Sequence, residues 1–161
     1  MKNRLIKTKV TQKQLVEAIK NAACASLNCE DGEPGLLYTS GVEYKIDEKG
    51  TLLELSVIDK KGNKTKVDIN NPSENIVYTA AYDDFTMRAD GEYPELAPKF
   101  EVQYFDYDKD TTAINYISKM QDKNNLNFID DNRLEIVKTS QPQQQDSNSQ
   151  KFLNLTVPKA S

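Results

Sequence analysis

Side chains that could carry acid–base or metal chemistry are few in this chain. Its 161 residues include 25 acids and no histidine. The pairs of adjacent carboxylates that fall at predicted loops include Glu30-Asp31, Asp83-Asp84 and Asp130-Asp131. Such pairs can serve as general acid and base or bind a metal. Because no histidine accompanies them, we interpret all three as solvated turn residues and predict neither a catalytic residue nor a metal ligand.

Phe85 is the first candidate for a functional residue. It follows a strand-like run and enters a polar loop over about residues 83–99 instead of continuing the alternation. A loop this long in a compact domain tends to be functional. The alternative is a core phenylalanine that anchors the loop. Farther along the loop, Asp90 begins an Asp-Gly turn signal, and Tyr93 follows it.

Cys24 and Cys29 are the two cysteines, separated across a predicted helix end. A structural zinc site needs four ligands, so this pair is too sparse for one. A local disulfide is geometrically possible if the helix ends near Ser26 and the chain turns back. Two unpaired, small, apolar side chains explain the pattern equally well, and the residues alone leave both alternatives open.

The composition indicates one domain that is large enough for a core of its own. Hydrophobic residues make up 37% of the chain and the mean hydropathy is −0.71, a low value to which a polar C-terminal tail contributes. The net charge of −4 and the pI near 5.0 argue against a nucleic-acid partner, because neutralising phosphates needs a basic face. No apolar run approaches the roughly 20 residues of a membrane span.

The spacing of apolar residues predicts a helix followed by a β meander. A strand over residues 5–10 leads into a capping-box pattern formed by Thr11 and Gln14. A helix over about residues 11–26 follows. Alternation with period two then predicts three antiparallel strands and a fourth, carried by Val42, Tyr44 and Ile46, by Leu53, Leu55 and Val57, by Thr65, Val67 and Ile69, and by Ile76, Tyr78 and Ala80.

The second half predicts either a strand or an extended approach to the next helix over residues 100–107, then a helix capped by Asp110 or Thr111, and a closing strand over residues 134–137. One face of that helix carries Ala113, Ile114, Ile117 and Met120. The predicted fold class is α+β, with two principal helices on one side of a mainly antiparallel or mixed sheet.

The sequence divides into a domain over residues 1–138 and a tail over residues 139–161. The tail is rich in Gln, Ser and Asn, a composition typical of a linker. Within it, residues 152–157 are either an extra strand or the start of a following module.

The run from residue 76 to residue 120 resembles the C-terminal domain of the 5′-nucleotidase family. That pattern is a strand, Asn-(Asp)-Phe, a Gly-Gly-Asp-Gly loop with an aromatic, and a helix ending near Tyr-(Ile/Leu)-x-Lys. Here the strand leads to Asp84-Phe85, an Ala-Asp-Gly-Glu-Tyr loop follows, and Tyr-Ile-Ser-Lys-Met occupies residues 116–120. With Ser40-Gly41 as a further landmark, the resemblance covers about residues 3–137 and implies that domain's fold.

The resemblance also implies a substrate site. Phe85 takes the position of the phenylalanine that stacks on the nucleobase, and every base offers a π-face worth about 1–3 kcal/mol. Asp90 and Tyr93 match the aspartate and the aromatic of the glycine-rich loop when the alignment slides by one residue. Asn3 matches the asparagine of a Pro-aromatic-x-Asn motif, with Met1 in the aromatic's place, so the family domain is expected to begin upstream.

The parent protein implied by this resemblance is a metal-dependent 5′-nucleotidase or cyclic-nucleotide phosphodiesterase-like hydrolase. Two divalent metal ions would be held by histidines and carboxylates of a separate N-terminal metallophosphatase domain. This chain would bind the nucleotide or nucleoside and be inactive in isolation. The family also implies an extracytoplasmic location (periplasmic, secreted or cell-surface), which favours a Cys24–Cys29 disulfide. The alternative is a non-catalytic surface-protein interaction module derived from this family.

Overall fold

The computed structural model describes residues 3–28, 35–86, 88, 91–119 and 133–138. Within these ranges the chain forms seven strands and two α-helices. In chain order they are β1 (Arg4–Thr11), α1 (Gln12–Asn28), β2 (Val42–Asp47), β3 (Leu52–Ile58), β4 (Lys64–Lys66), β5 (Val77–Asp83), β6 (Gln103–Asp108), α2 (Lys109–Lys119) and β7 (Leu134–Val137). A short 3-10 helix, Pro94–Leu96, interrupts the long loop between β5 and β6. The predicted tail lies outside the described residues.

The strands form two sheets, where the sequence pattern predicts one. The first sheet has the order β5-β1-β6 and is antiparallel; the second has the order β4-β3-β2-β7, with β7 parallel to β2. The split arises because β5 pairs with β1 along its whole length instead of extending the meander. The α+β class is confirmed, but the helices do not share one side of a single sheet.

The junction of β1 and α1 carries the predicted capping box. The Gln14 N–H donates to Thr11 Oγ1, and the Thr11 N–H donates to Gln14 Oε1, both at 3.1 Å. Gln14 Nε2 also donates to the carbonyls of Glu95 and Ala97, at 2.8 and 3.0 Å. The capping box is therefore confirmed, and one of its two side chains also holds the long loop against α1.

Helix α1 contributes apolar side chains to two core clusters. Val16, Ile19 and Ala23 pack with buried residues of β2 and β3. Ala18 and Ala22 belong to a smaller cluster with residues of β1 and of the long loop. The helix thus links the second sheet to the first, and its alanines allow the loop a close approach.

The predicted alternation that places Leu53 on the same face as Leu55 in β3 is wrong. Leu52 is buried, whereas Leu53 is 41% exposed. The cause is a β-bulge in the pairing of β2 with β3, where Lys45 is opposite Glu54 but Ile46 is opposite Leu52. A bulge inserts a residue into one strand and so reverses the alternation beyond it.

Helix α2 continues directly from β6 and begins at a different residue from the predicted caps. The Thr111 N–H donates to Asp108 Oδ1 at 2.7 Å, so Asp108 caps the helix instead of Asp110 or Thr111. No described side chain of α2 is buried. Ile114 is therefore exposed on the predicted apolar face, and Met120 lies outside the described residues.

Candidate functional site

Three strand termini meet at one end of the first sheet. Because neighbouring strands are antiparallel, β1 begins where β5 and β6 end, and Arg4 is opposite Asp108. The Asp84 N–H donates to Arg4 O at 2.9 Å, and the Lys109 N–H donates to Asn3 O at 3.2 Å. Residues that are distant in sequence therefore lie close together at this end of the sheet. We call it the strand-end cluster, comprising Asn3, Arg4, Asp83, Asp84, Phe85 and Lys109.

Arg4 connects all three strands of this sheet. Its backbone N–H donates to Asp84 Oδ1 at 2.9 Å, and its Nε lies 3.6 Å from Asp84 Oδ2. Its guanidinium carbon also lies 5.1 Å from the ring centroid of Tyr104 on β6, within the range of a cation–π contact. The Arg4 side chain is mostly exposed, so water screens the ion pair, and the contact chiefly orients the side chain.

Asp83 fixes the turn that follows β5. Its Oδ1 accepts hydrogen bonds from the N–H and the hydroxyl of Thr86, both at 2.8 Å. Its Oδ2 lies 3.3 Å from Lys109 Nζ. Partial burial acts to raise the pKa of Asp83, but these donors together hold the pKa below its ordinary value. The carboxylate therefore stays charged near neutral pH and holds the turn that carries Phe85.

Phe85 lies two residues beyond the end of β5, and 41% of its surface is exposed. The Arg88 guanidinium carbon lies 5.9 Å from the ring centroid. The Arg88 N–H donates to Phe85 O at 3.2 Å, and the Gly91 N–H donates to Arg88 O at 3.0 Å, so two successive turns hold the loop. The ring is therefore partly exposed, as the stacking role implied by the resemblance requires, and the alternative of a core phenylalanine does not fit this exposure. Contact with a base stays a prediction.

Gly91 allows these turns to lie close together. A Cβ at Gly91 would be 3.1 Å from Arg88 O and 3.3 Å from Phe85 O. Both neighbours are backbone atoms of the turn that carries the ring, so a side chain here would push on that turn. The candidate Asp90 precedes Gly91 but lies outside the described residues, and its role stays a prediction.

Tyr93 is buried in the core. It is 7% exposed and shares a cluster with Val10, Ala18, Ala22 and Leu96. Its hydroxyl donates to Gly35 O. Burial raises the pKa of Tyr93, with a further contribution from the charge of Glu92. Tyr93 therefore anchors the loop, in contrast to the predicted substrate contact, because its ring fills space against α1.

Asn3 reaches the strand-end cluster through its backbone carbonyl, and its side chain is partly exposed. The structure thus brings together two of the four predicted substrate residues, Asn3 and Phe85, and places a third, Tyr93, in the core. Sequence reasoning missed Lys109 and Tyr104. No local pattern marks Lys109, since its partner Asp83 lies 26 residues away, whereas the aromatic alternation of β6 could have drawn attention to Tyr104.

The cysteine pair is described in part. Helix α1 continues past Ser26 to Asn28, so the helix end lies beyond the expected position. Cys24 has an exposed side chain. Cys29 lies outside the described residues, and the Cys24–Cys29 disulfide stays a prediction.

Two further features bear on the class of protein. Across residues 3–28, 35–86, 88, 91–119 and 133–138, no three or more His, Cys, Asp or Glu side chains are grouped so that they could hold a metal ion. Helices of this same part of the chain are all too short or too polar to cross a membrane.

The fold is similar to part of two nucleotidases. A 5′-nucleotidase precursor from Thermus thermophilus superposes with a TM-score of 0.63 at 15% identity, covering 84% of this chain. The NAD nucleotidase of Haemophilus influenzae superposes with a TM-score of 0.61 at 15% identity, covering 87%. The chain spans 25% of the length of each. No protein-family model and no curated protein matches the chain. Identity this low shows a shared fold alone.

Proposed function

We propose that this chain is the nucleobase-binding, C-terminal domain of a metal-dependent 5′-nucleotidase or cyclic-nucleotide phosphodiesterase-like hydrolase, and that it is inactive in isolation. The observation that carries the proposal is the exposed ring of Phe85 at the strand-end cluster. The fold, similar to a quarter of two nucleotidases, supports it. Because one fold can host many functions, the proposal depends on this ring.

In this proposal the base stacks on the Phe85 ring, a contact worth about 1–3 kcal/mol. The Asn3 side chain offers an amide donor and a carbonyl acceptor to the edge of the base, and Asp90 accepts a further hydrogen bond. Asp83 and Tyr93 act indirectly: the first holds the turn that carries the ring, and the second anchors the loop after it.

Hydrolysis is assigned to a second domain of the same protein, an N-terminal metallophosphatase domain. The described residues do not form a metal site, so in this proposal the other domain's residues bind two divalent ions. When bound, such ions supply an activated water for attack on phosphorus. This chain contributes base binding and specificity. An extracytoplasmic location is part of the same proposal.

Adenosine binding to the purified chain tests the role of Phe85. Titration to millimolar adenosine, followed by NMR chemical shifts, suits the weak binding expected when one stacked face must offset the entropy of association. Phe85→Ala should weaken binding about 5- to 150-fold, the equivalent of 1–3 kcal/mol. Phe100→Ala is the matched control, since Phe100 is 38% exposed but lines a surface pocket with Lys7, Lys9 and Thr79, away from the strand-end cluster. Equal loss of affinity in both variants would contradict the proposal.

A second measurement tests whether an aromatic ring placed before Asn3 completes the base-binding site. Fusing a Pro-aromatic-x segment directly before Asn3 should strengthen adenosine binding, because a second ring would enclose the base. Phe85→Ala should then remove most of the gain. A gain that survives Phe85→Ala would place the base elsewhere.

A non-catalytic surface-protein interaction module derived from the same fold is the second candidate. The Arg88 guanidinium over the Phe85 ring favours it, because a cation on one face competes with a base for that face. A folded chain that shows no chemical-shift change at millimolar adenosine would favour this candidate. Phe85-dependent shifts would favour nucleobase binding.

A further inference from the structure

A mostly apolar groove of about 830 Å³ runs between the two sheets, near the start of α1. One wall is formed by β5 and the residue before it. The other wall is formed by residues 38–42, before and at the start of β2, by residues 57–60 at and after the end of β3, which include the charged Asp59 and Lys60, and by Thr65 of β4. Val10 and Leu15, from β1 and α1, also line it. The groove is separate from the strand-end cluster and does not depend on the function proposed above.

Strand β5 presents its edge to this groove. Successive side chains of a strand point to opposite faces, so a strand that turned one face to a groove would contribute every second residue. Here residues 76–81 line the groove without a gap. Among the described strands, β5 pairs only with β1. Alternate N–H and C=O groups of its other edge therefore point into the groove.

The β5 edge lacks the features that normally prevent edge pairing. From Val77 to Tyr82 it contains no charged residue and no proline. The other edge strands of the described chain are protected: β4 is three residues long with Lys64 and Lys66, β6 carries Asp106, and β7 is four residues long with Glu135. An unprotected edge beside a mostly apolar groove indicates that another strand covers it.

We propose that residues 152–157 of this same chain bind in the groove as an additional strand on β5. Their sequence is Phe-Leu-Asn-Leu-Thr-Val, followed by Pro158. Leu153, Leu155 and Val157 alternate with other residues and so form one apolar face. The segment is as long as the lined stretch 76–81, and the proline ends it because proline cannot donate to a ladder.

The length of chain before this segment allows it to reach the groove. The last described residue, Lys138, follows β7, whose end is opposite Asp47 at the far end of β2. A linker over residues 139–151 has a root-mean-square reach of about 20 Å and a limit of about 45 Å. Tethering gives the segment an effective concentration in the millimolar range. Pairing within one chain is therefore favoured over pairing between copies.

Amide hydrogen exchange of the 161-residue chain tests this proposal against a chain ending at residue 150. In the full chain the outward amides of β5 should be protected. Removal of residues 151–161 should accelerate their exchange at least tenfold and leave α1 unchanged, which shows that the shorter chain still folds. Adding a synthetic peptide of residues 150–160 to the shorter chain should restore the protection. Equal β5 exchange in both chains would overturn the proposal.

Paired substitutions then identify the face that binds. Leu153→Asp with Leu155→Asp should abolish the protection of β5. Asn154→Asp with Thr156→Asp adds the same charge on the opposite face and should leave most of the protection. An equal loss of β5 protection in the two double variants would contradict binding through the face of Leu153 and Leu155. Protection that rises with protein concentration, together with dimers in sedimentation, would assign the groove to a second copy and refute binding within one chain.

Discussion

Replacing Gly50 by alanine should destabilise the domain far more than the same replacement at Gly62. Both glycines lie in turns and have positive φ, 77° and 85°. A Cβ at Gly50 would be 2.3 Å from Ala23 O and 3.0 Å from Cys24 Cα, whereas nothing lies within 4 Å of a Cβ at Gly62. The two sites therefore match in backbone conformation and differ in packing against α1.

The expected magnitudes follow from that difference. A left-handed conformation costs alanine about 1–2 kcal/mol, partly offset by about 0.4–1 kcal/mol through lower entropy of the unfolded chain. Gly62→Ala should therefore cost about 1 kcal/mol. At Gly50 the obstacle is the backbone of α1, which cannot rotate away as a side chain would. Overpacking adds about 1–3 kcal/mol, which gives about 2–4 kcal/mol in total.

Urea unfolding followed by circular dichroism measures both costs. With a slope of about 2 kcal/mol per molar urea, the midpoint should fall by about 1–2 M for Gly50→Ala and by about 0.5 M for Gly62→Ala. Spectra in the absence of urea show that each variant is folded. Equal midpoints for the two variants would refute the close contact between the Gly50 turn and α1.

Two further outcomes are expected. The purified chain should release no phosphate from AMP with any divalent metal, because it lacks the imidazole ligands of the implied metal site; phosphate release that copurifies with the folded domain would contradict this. The pKa of Asp83 is lowered in the folded state, so its contribution to stability is present above the ordinary carboxylate pKa and is lost as the pH falls through the lowered folded value. Asp83→Asn should therefore flatten the decrease in urea midpoint below about pH 4, and parallel pH profiles for the two proteins would exclude this role.

Local sequence patterns determined the helices, most strand positions and the α+β class. The Thr11–Gln14 capping box depends on residues three apart and is present as predicted. The expected exposure of Phe85 depended on the family resemblance together with its position between a strand and a long polar loop. Caps and apolar periodicity depend on neighbours along the chain, so a single sequence contains the information.

Tertiary structure alone decided the strand partners. The sequence pattern places β5 after a meander, yet β5 pairs with β1, which lies about seventy residues earlier. The bulge that buries Leu52 and exposes Leu53 likewise depends on the register with β2. Periodicity shows which residues alternate, but it cannot show which distant strand provides the hydrogen bonds.

The candidate site divides in the same way. Phe85 and Asn3 were identified from the chain itself, but they lie at the same end of the sheet only because β1 pairs antiparallel with β5 and β6. Tyr93 looks like a loop residue in sequence and is a core residue in space, because α1 offers alanines where its ring packs. Lys109 joined the site through a contact with Asp83 across 26 residues. Burial and long-range ion pairs depend on the packing of distant segments, and that packing is a property of the folded chain.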